Sequence, residues 1–450
     1  MTVQIEAETR PLLETANESR TISLQRAPSN MVVAIDVGTT KVCSIAGFKD
    51  DSGNLKVLAH STVPCKGLLR GNVSDMDVTT DSIKDSVHHL EQATGYKIAS
   101  AYVGVTGSHV SFVNRRDYLD PISGHGVITA EDLDQEPKAL AETCEEPGRT
   151  LIHALRMTYS VDKEDGIRNP IGMHSDSIEV NTHVVTAATI FVDKLATAVE
   201  QAGVNVTGMV LEPMASGLAV MTAAERIRGS VLVDIGGSTT DVVAFDRGRI
   251  CFTGVIPVGG FQFTNDIAVT YNTPYEAAED LKLSHASTDI PRFGQEVALP
   301  ITGSEVDLRV EIAEICQLIR ERANELARLI KIKLDESGME NLSRYELVLT
   351  GGTSNLPGIA NLFQRSLAVP VRKGMPGNLY CLPEELQDPR YSTAVGILQW
   401  VVEQESSKME SPATSNETKE GDRRGFVTSL NKQISKLVPR AYFTDKKGRI

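Results

Sequence analysis

No apolar run in the 450 residues approaches the ~18 that a spanning helix needs; the longest, residues 184–192, is about nine. An integral membrane protein is not expected. The start of the chain has no apolar core and carries Glu6, Glu8 and Glu14, so no secretory signal is predicted. The six cysteines (Cys43, Cys65, Cys144, Cys251, Cys316, Cys381) stand far apart with no CxxC pair, against both a disulfide framework and a zinc site. These absences predict a cytosolic chain. Positive charge is also scarce in the body. Of a net −14, residues 422–450 contribute +6 through eight Lys/Arg against two Asp, leaving −20 for the rest. An acidic body repels nucleic acid, so none is expected as a partner, while a basic tail seeks an anionic surface.

What is present is a globular composition, 41% hydrophobic and 23% charged, with length for about three domains or two large lobes. Residues 1–30 are polar and aperiodic and read as a flexible leader. From 31 to 402, short β-branched runs alternate with helical patterns, which predicts an α/β architecture. Residues 403–421 hold almost nothing to bury and read as a linker. Within residues 422–450 the apolar Phe426, Val427, Leu430, Ile434 and Leu437 fall on one arc of a helix, flanked by Lys432, Lys436 and Arg440. That pattern suits a helix lying in a headgroup plane, ending or kinking at Pro439. A helix docked on a protein surface is the other reading.

A degenerate repeat stands out. MVVAIDVGTTK (residues 31–41) and SVLVDIGGSTTD (residues 230–241) each read as a buried strand ending in Asp, a Gly/Thr turn and a second strand. Two such hairpins would set their turns face to face across a cleft. A third glycine turn, LVLTGGTSNLPG (residues 347–358), follows a strand and precedes a helix. Residues 114–193 read as an insertion, with helix expected over 130–155 and strands over 158–162 and 177–189. One long helix is expected over 305–337 and a surface helix over 79–92. His88 and His89 are expected to be solvated and Trp400 to be packing.

Glycine turns after strands expose N–H groups that bind phosphate oxygens, and Thr39, Thr40, Thr239 and Thr240 add hydroxyls. Asp36 and Asp234 end their strands where carboxylates can hold the waters around Mg²⁺. These motifs resemble those of the superfamily of actin, the heat-shock chaperone ATPases and the sugar kinases: AIDVGTTK its first phosphate loop, VDIGGSTTD its second, LTGGTSNLPG its adenosine loop. EPMASGLAV and YSTAVGIL resemble its two connecting helices, and AAEDLK the segment that reaches the nucleoside. Within the superfamily, KGLLRGNVSDMD, YVGVTGSHVSFVN, EDGIRNPIGM, PVGGFQFTNDIA and DPRYSTAVGIL are similar to the FtsA family of bacterial cell-division actin homologues. One departure is Ser238, where a third glycine is commoner in the superfamily.

The resemblance implies a two-lobed actin-like fold of duplicated ribonuclease-H-like halves with an inserted 1C subdomain of SHS2 type. Its subdomains would be 1A (31–113 and 194–229), 1C (114–193), 2A (230–254 and 336–402) and 2B (255–335). It implies ATP and Mg²⁺ as ligands, with Asp36 and Asp234 on the metal through water. Gly38, Thr39, Thr40, Lys41, Gly236, Gly237, Ser238 and Thr239 would hold phosphates. Glu279 and Lys282 would hold ribose and adenine, beside Gly351, Gly352 and Asn355. Glu212, and secondarily Asp241, would position water, with slow or negligible turnover. The implied partners are the tubulin-like division protein FtsZ through 2B, other copies of the chain in filaments, and other division proteins through 1C. The implied place is the cytoplasmic face of the membrane at the division site, reached by the tail as a peripheral anchor. A small-molecule kinase of sugar or acetate type and a PilM-like pilus-assembly adaptor stay open as alternatives.

Overall fold

In the strand Met31–Val37, Val32 and Ala34 face one apolar cluster while Val33, Ile35 and Val37 face another. Side chains alternate across a strand, so a run apolar on both faces belongs inside a sheet covered on both sides. Ser230–Ile235 behaves likewise, with Leu232 on one side and Val231, Val233 and Ile235 on the other. The computed structural model describes residues 24–50, 54–119, 126–134, 146–175, 177–292, 294–336, 338–339, 342–377, 379 and 382–409. The nine tail residues from Phe426 to Arg440 named above lie outside them.

Each lobe is built on a five-stranded sheet. The first runs Leu55–Pro64, Lys41–Lys49, Met31–Val37, Ser100–Val105, Asn205–Leu211, and the second runs Arg249–Ile256, Thr240–Asp246, Ser230–Ile235, Glu346–Thr350, Val371–Lys373. Counted within each lobe, both orders are 3-2-1-4-5, with the first three strands antiparallel and the last two parallel. The repeat read in the sequence therefore extends to the whole five-stranded sheet of each half.

Between the sheets lie two helices, Glu212–Val220 and Ser392–Met409. They cross at small residues: a Cβ on Gly396 would run into the Ala215 carbonyl, and one on Gly217 would stand 2.8 Å from the Phe245 ring. Helices Met76–Thr94 and Thr189–Gln201 cover the outer face of the first sheet. The first of these is capped by Asp75, whose carboxylate accepts from the Val78 N–H, and stops at left-handed Gly95. Gly260–Tyr271, Tyr275–His285, Ile312–Glu336 and Ile359–Leu367 cover the outer face of the second sheet.

The insertion is a four-stranded antiparallel sheet in the order Glu164–Ile167, Arg149–Val161, Ile178–Ala188, Val110–Leu119. It has its own core of Leu119, Tyr159, Val161, Ile178 and Val180. It also touches the far lobe. The Asn114 amide donates to the Cys251 carbonyl (3.0 Å), and His183 Nε2 lies 3.2 Å from the Thr253 hydroxyl. Phe112 stacks on His183 and meets Phe252 edge-on.

Four expectations need correction. Residues 149–155 are strand, not helix, because Arg149–Val161 is zipped to Ile178–Ala188 along its length. The long helix begins at Ile312, since Leu308–Glu311 pairs with Glu296–Leu299 and Val306 is 73% exposed. The leader is not featureless throughout: Gln25–Arg26 pairs in parallel with Tyr96–Lys97. The last helix continues to Met409, past the expected start of the linker at 403. Among the described residues no helix is long and apolar enough to cross a membrane.

Candidate functional site

The two hairpin turns are built alike. In the first, the Gly38 N–H donates to the Lys41 carbonyl; in the second, the Gly236 N–H donates to the Thr239 carbonyl, both at 2.9 Å. Asp36 and Asp234 each stand two residues before that glycine. Their cross-strand partners, Cys43 and Asp241, each lie seven residues on. The face that carries Ala34 and Leu232 into the core between the lobes also carries Asp36 and Asp234 there. The turns are face to face, as expected, and in direct contact. Thr39 Oγ1 lies 2.6 Å from Ser238 Oγ, and a Cβ on Gly237 would stand 2.9 Å from Thr40 Cγ2.

Around this contact four carboxyl groups crowd together. Glu212 opens the first inner helix, and the bare α-carbon of Gly104 makes room for it, since a Cβ there would be 3.0 Å from Glu212 Oε1. Burial, reinforced by Asp36, Asp241 and Asp234, pushes Glu212 well above the usual carboxylate range. Burial likewise raises Asp36, partly offset by Lys41, whose Nζ is 3.8 Å away. Asp234 is pushed up to about 6 and Asp241 to about 7, again chiefly by burial. Desolvated like charges raise one another's pKa, and one lysine does not neutralise four carboxyls. Such a patch suits a divalent cation. Among the described residues no group of three or more His, Cys, Asp or Glu is placed to hold a metal directly.

Several hydroxyls that sequence reasoning passed over hold these acids in place. Ser216 Oγ donates to Asp234 Oδ2 at 2.6 Å, and Thr393 reaches both Ser216 and the same carboxylate. Thr106 Oγ1 donates to Asp241. Ser216 lies one helical turn after Glu212, and Thr393 sits within the YSTAVGIL motif, so the inner-helix pattern held the signal for both. Lys41 lies over the Tyr391 ring, 5.3 Å from its centroid.

The proposed nucleoside residues form a second cluster on the second lobe. Lys282 Nζ donates to Glu279 (2.7 Å), to Thr264 Oγ1 (2.8 Å) and to the Gly260 carbonyl (3.3 Å). Gly260 N–H in turn donates to the Gly236 carbonyl at 2.9 Å, and Thr353 Oγ1 donates to that same carbonyl at 3.0 Å. Gly260 and Thr353, from the turn after Glu346–Thr350, thus meet the second turn at Gly236, and Lys282 joins them through Gly260. Gly351 stands at φ 84°, and a Cβ there would strike Asp234. Gly352 is open, with only Arg390 Cβ at 3.8 Å. Asn355 turns toward Asp388 and Lys373. His88 and His89 are exposed, with His88 Nε2 2.8 Å from the Gln92 amide, and Trp400 packs against Tyr102 and His153.

Comparison with known proteins agrees with this architecture. Residues 231–396 match the family model for the cell division protein FtsA, and residues 107–186 match the SHS2 domain inserted in FtsA. The cell division protein FtsA of Pseudomonas aeruginosa is 33% identical over 388 residues, covering 84% of this chain and 91% of that protein. That of Escherichia coli K12 is 29% identical over 379 residues, 82% and 90% of the two chains. Among solved structures, the PilM-PilN type IV pilus biogenesis complex superposes with a TM-score of 0.61 at 18% identity, covering 82% of this chain and 98% of that one. MreB 5 of Spiroplasma citri bound to AMPPNP gives 0.52 at 14% identity, covering 85% and 100%. Identities this low speak for a shared actin-like fold alone. The length and identity of the sequence matches settle the rest: this chain belongs to the FtsA family of cell-division proteins.

Proposed function

We propose that the chain binds ATP with Mg²⁺ between its lobes, assembles into filaments, and ties the FtsZ ring to the cytoplasmic face of the membrane at the division site. The observation that carries the nucleotide part is the meeting of two matched glycine turns over four carboxyls and one lysine. Backbone N–H groups of both turns, with Thr39, Thr40 and Thr239, hold the phosphate oxygens, and Lys41 adds charge. Asp36 and Asp234 hold the water shell of Mg²⁺, which neutralises the phosphate chain. Glu279 and Lys282 hold the ribose and adenine, with Gly351, Gly352 and Asn355 on the base side. Glu212 and Asp241 orient water. Turnover is slow or negligible; burial and the neighbouring aspartates raise the Glu212 carboxyl well above the usual carboxylate range.

FtsZ docks on residues 255–335, and the 1C insertion serves filament contacts and other division proteins. The tail is the foot. A short amphipathic helix with three flanking cations, each adding about 1 kcal/mol near an anionic leaflet, binds weakly alone. Co-sedimentation with anionic vesicles tests the reading, for the full chain, for a chain ending at Gly421 and for the Phe426→Glu, Leu430→Glu double variant, with and without ATP·Mg²⁺. Pelleting of the full chain alone, strengthened by nucleotide, is the expected result. Equal pelleting of all three would overturn the foot, and indifference to ATP would overturn its coupling to the cleft.

A further inference from the structure

Ser238, the residue that departs from the commoner glycine, is 1% exposed and is met from two directions by the first lobe. Thr39 Oγ1 stands 2.6 Å from its hydroxyl, and the main-chain N–H of Arg70 donates to that same oxygen at 2.9 Å. Thr39 and Arg70 belong to separate segments of the first lobe, so two independent elements converge on one side-chain atom of the second.

The Arg70 segment is shaped for this contact. Arg70 and Gly71 are both left-handed, at φ 53° and 77°. A non-glycine residue held there is strained, and such strain persists only where its surroundings over-determine it. The surroundings are visible: a Cβ on Gly71 would come 2.7 Å from Gly107 Cα and 2.9 Å from the Thr106 carbonyl. Thr106 itself donates across the lobes to Asp241. The turn is thus pressed against the strand end that reaches into the second lobe, with its N–H aimed at Ser238. A glycine at 238 could form neither bond.

Resting on the nucleotide reading above, we propose that Ser238 is a clasp residue: its bonds to Thr39 and to the Arg70 N–H join the lobes beside the phosphate turns and slow the release of a bound nucleoside triphosphate. Opening the cleft requires both bonds to break together. Losing two neutral hydrogen bonds of ordinary strength should speed release by about tenfold or more. Because the contact uses the Arg70 main chain, the guanidinium is not part of the clasp.

The test uses the full chain with Mg²⁺ and a fluorescent ATP analogue chased by excess unlabelled ATP. Ser238→Ala and Ser238→Gly are expected to release the analogue about tenfold faster than the parent. Arg70→Gly, which keeps the N–H and suits the left-handed conformation, is expected to release it at the parental rate. Parental rates in both Ser238 variants, or slower ones, would overturn the clasp; acceleration in Arg70→Gly would overturn its main-chain basis. Failure of the parent to bind the analogue would sink the nucleotide reading and the gating role with it. Amide exchange without nucleotide reads the clasp itself: the Arg70 amide is expected to be protected in the parent and to exchange at least tenfold faster in Ser238→Ala. Equal exchange would dismiss the bond whatever the cleft binds.

Discussion

Asp241 and Cys43 occupy the same place in the two halves, each opposite the aspartate of its hairpin. Burial pushes the Cys43 thiol up to about 11, so it stays neutral, and it pushes Asp241 to about 7, so that group titrates near neutrality. The sign of the consequence is fixed by linkage. A carboxyl whose folded pKa is raised binds more protons folded than unfolded, so its contribution to stability is lost as pH rises from about 4 through about 7. Asp241→Asn removes that titration. Without nucleotide or Mg²⁺, the melting temperature of the parent should fall relative to Asp241→Asn between pH 5 and pH 8, by roughly 3 °C or more. Parallel pH profiles for the two proteins, followed by circular dichroism, would mean that Asp241 is not desolvated as described. The aspartates themselves were legible in the sequence because they close strands before glycine turns. Thr106 was not, since it meets Asp241 only through tertiary folding across 135 residues.

Among the elements, the inner helices show where sequence patterns suffice. Their small residues, Ala215, Ser216 and Gly217 on one and Ala394 and Gly396 on the other, announce a close crossing. The structure uses Gly396 for it, directly over the Ala215 carbonyl. Gly396→Ala should therefore part the helices and separate Thr393 from Ser216 and Asp234, costing more than about 2 kcal/mol as other overpacked core substitutions do. Denaturant unfolding measures it, and a loss under about 0.5 kcal/mol would show that the crossing is looser than the structure has it. The hairpins were equally legible, because each pairs with its neighbour in sequence. The strand Arg149–Val161 was not. Its apolar residues at 151, 152 and 155 fit a helical period, and its strand state comes from pairing on both sides with segments that lie later in the chain. Ahead of the long helix, Val306 and Val310 fit a helix extended backwards from Ile312, while the pairing of Leu308–Glu311 with Glu296–Leu299 decides otherwise.

On the scale of the whole molecule, the charge arrangement bears on how the proposed attachment would work. Residues 1–421 sum to −20, a charge that an anionic leaflet repels, while residues 422–450 sum to +6, a charge that it attracts. Under the proposed reading, one tail alone would bind weakly and reversibly. Tails aligned along the proposed filament would bind as a set, because each later contact forms at high local concentration. Attachment to anionic vesicles should then rise more steeply than in proportion to protein concentration once filaments form, and with ATP·Mg²⁺ that rise should begin at lower protein. Salt should weaken it, since the Debye length shortens from about 10 Å at 0.1 M to about 3 Å at 1 M. Variants that cannot polymerise but keep the tail should show only the shallow, proportional isotherm. Pelleting measured over a hundredfold range of protein, at two salt concentrations, separates the cases. A proportional isotherm for the parent would mean that each chain binds alone, and that polymerisation and attachment are independent properties of the molecule.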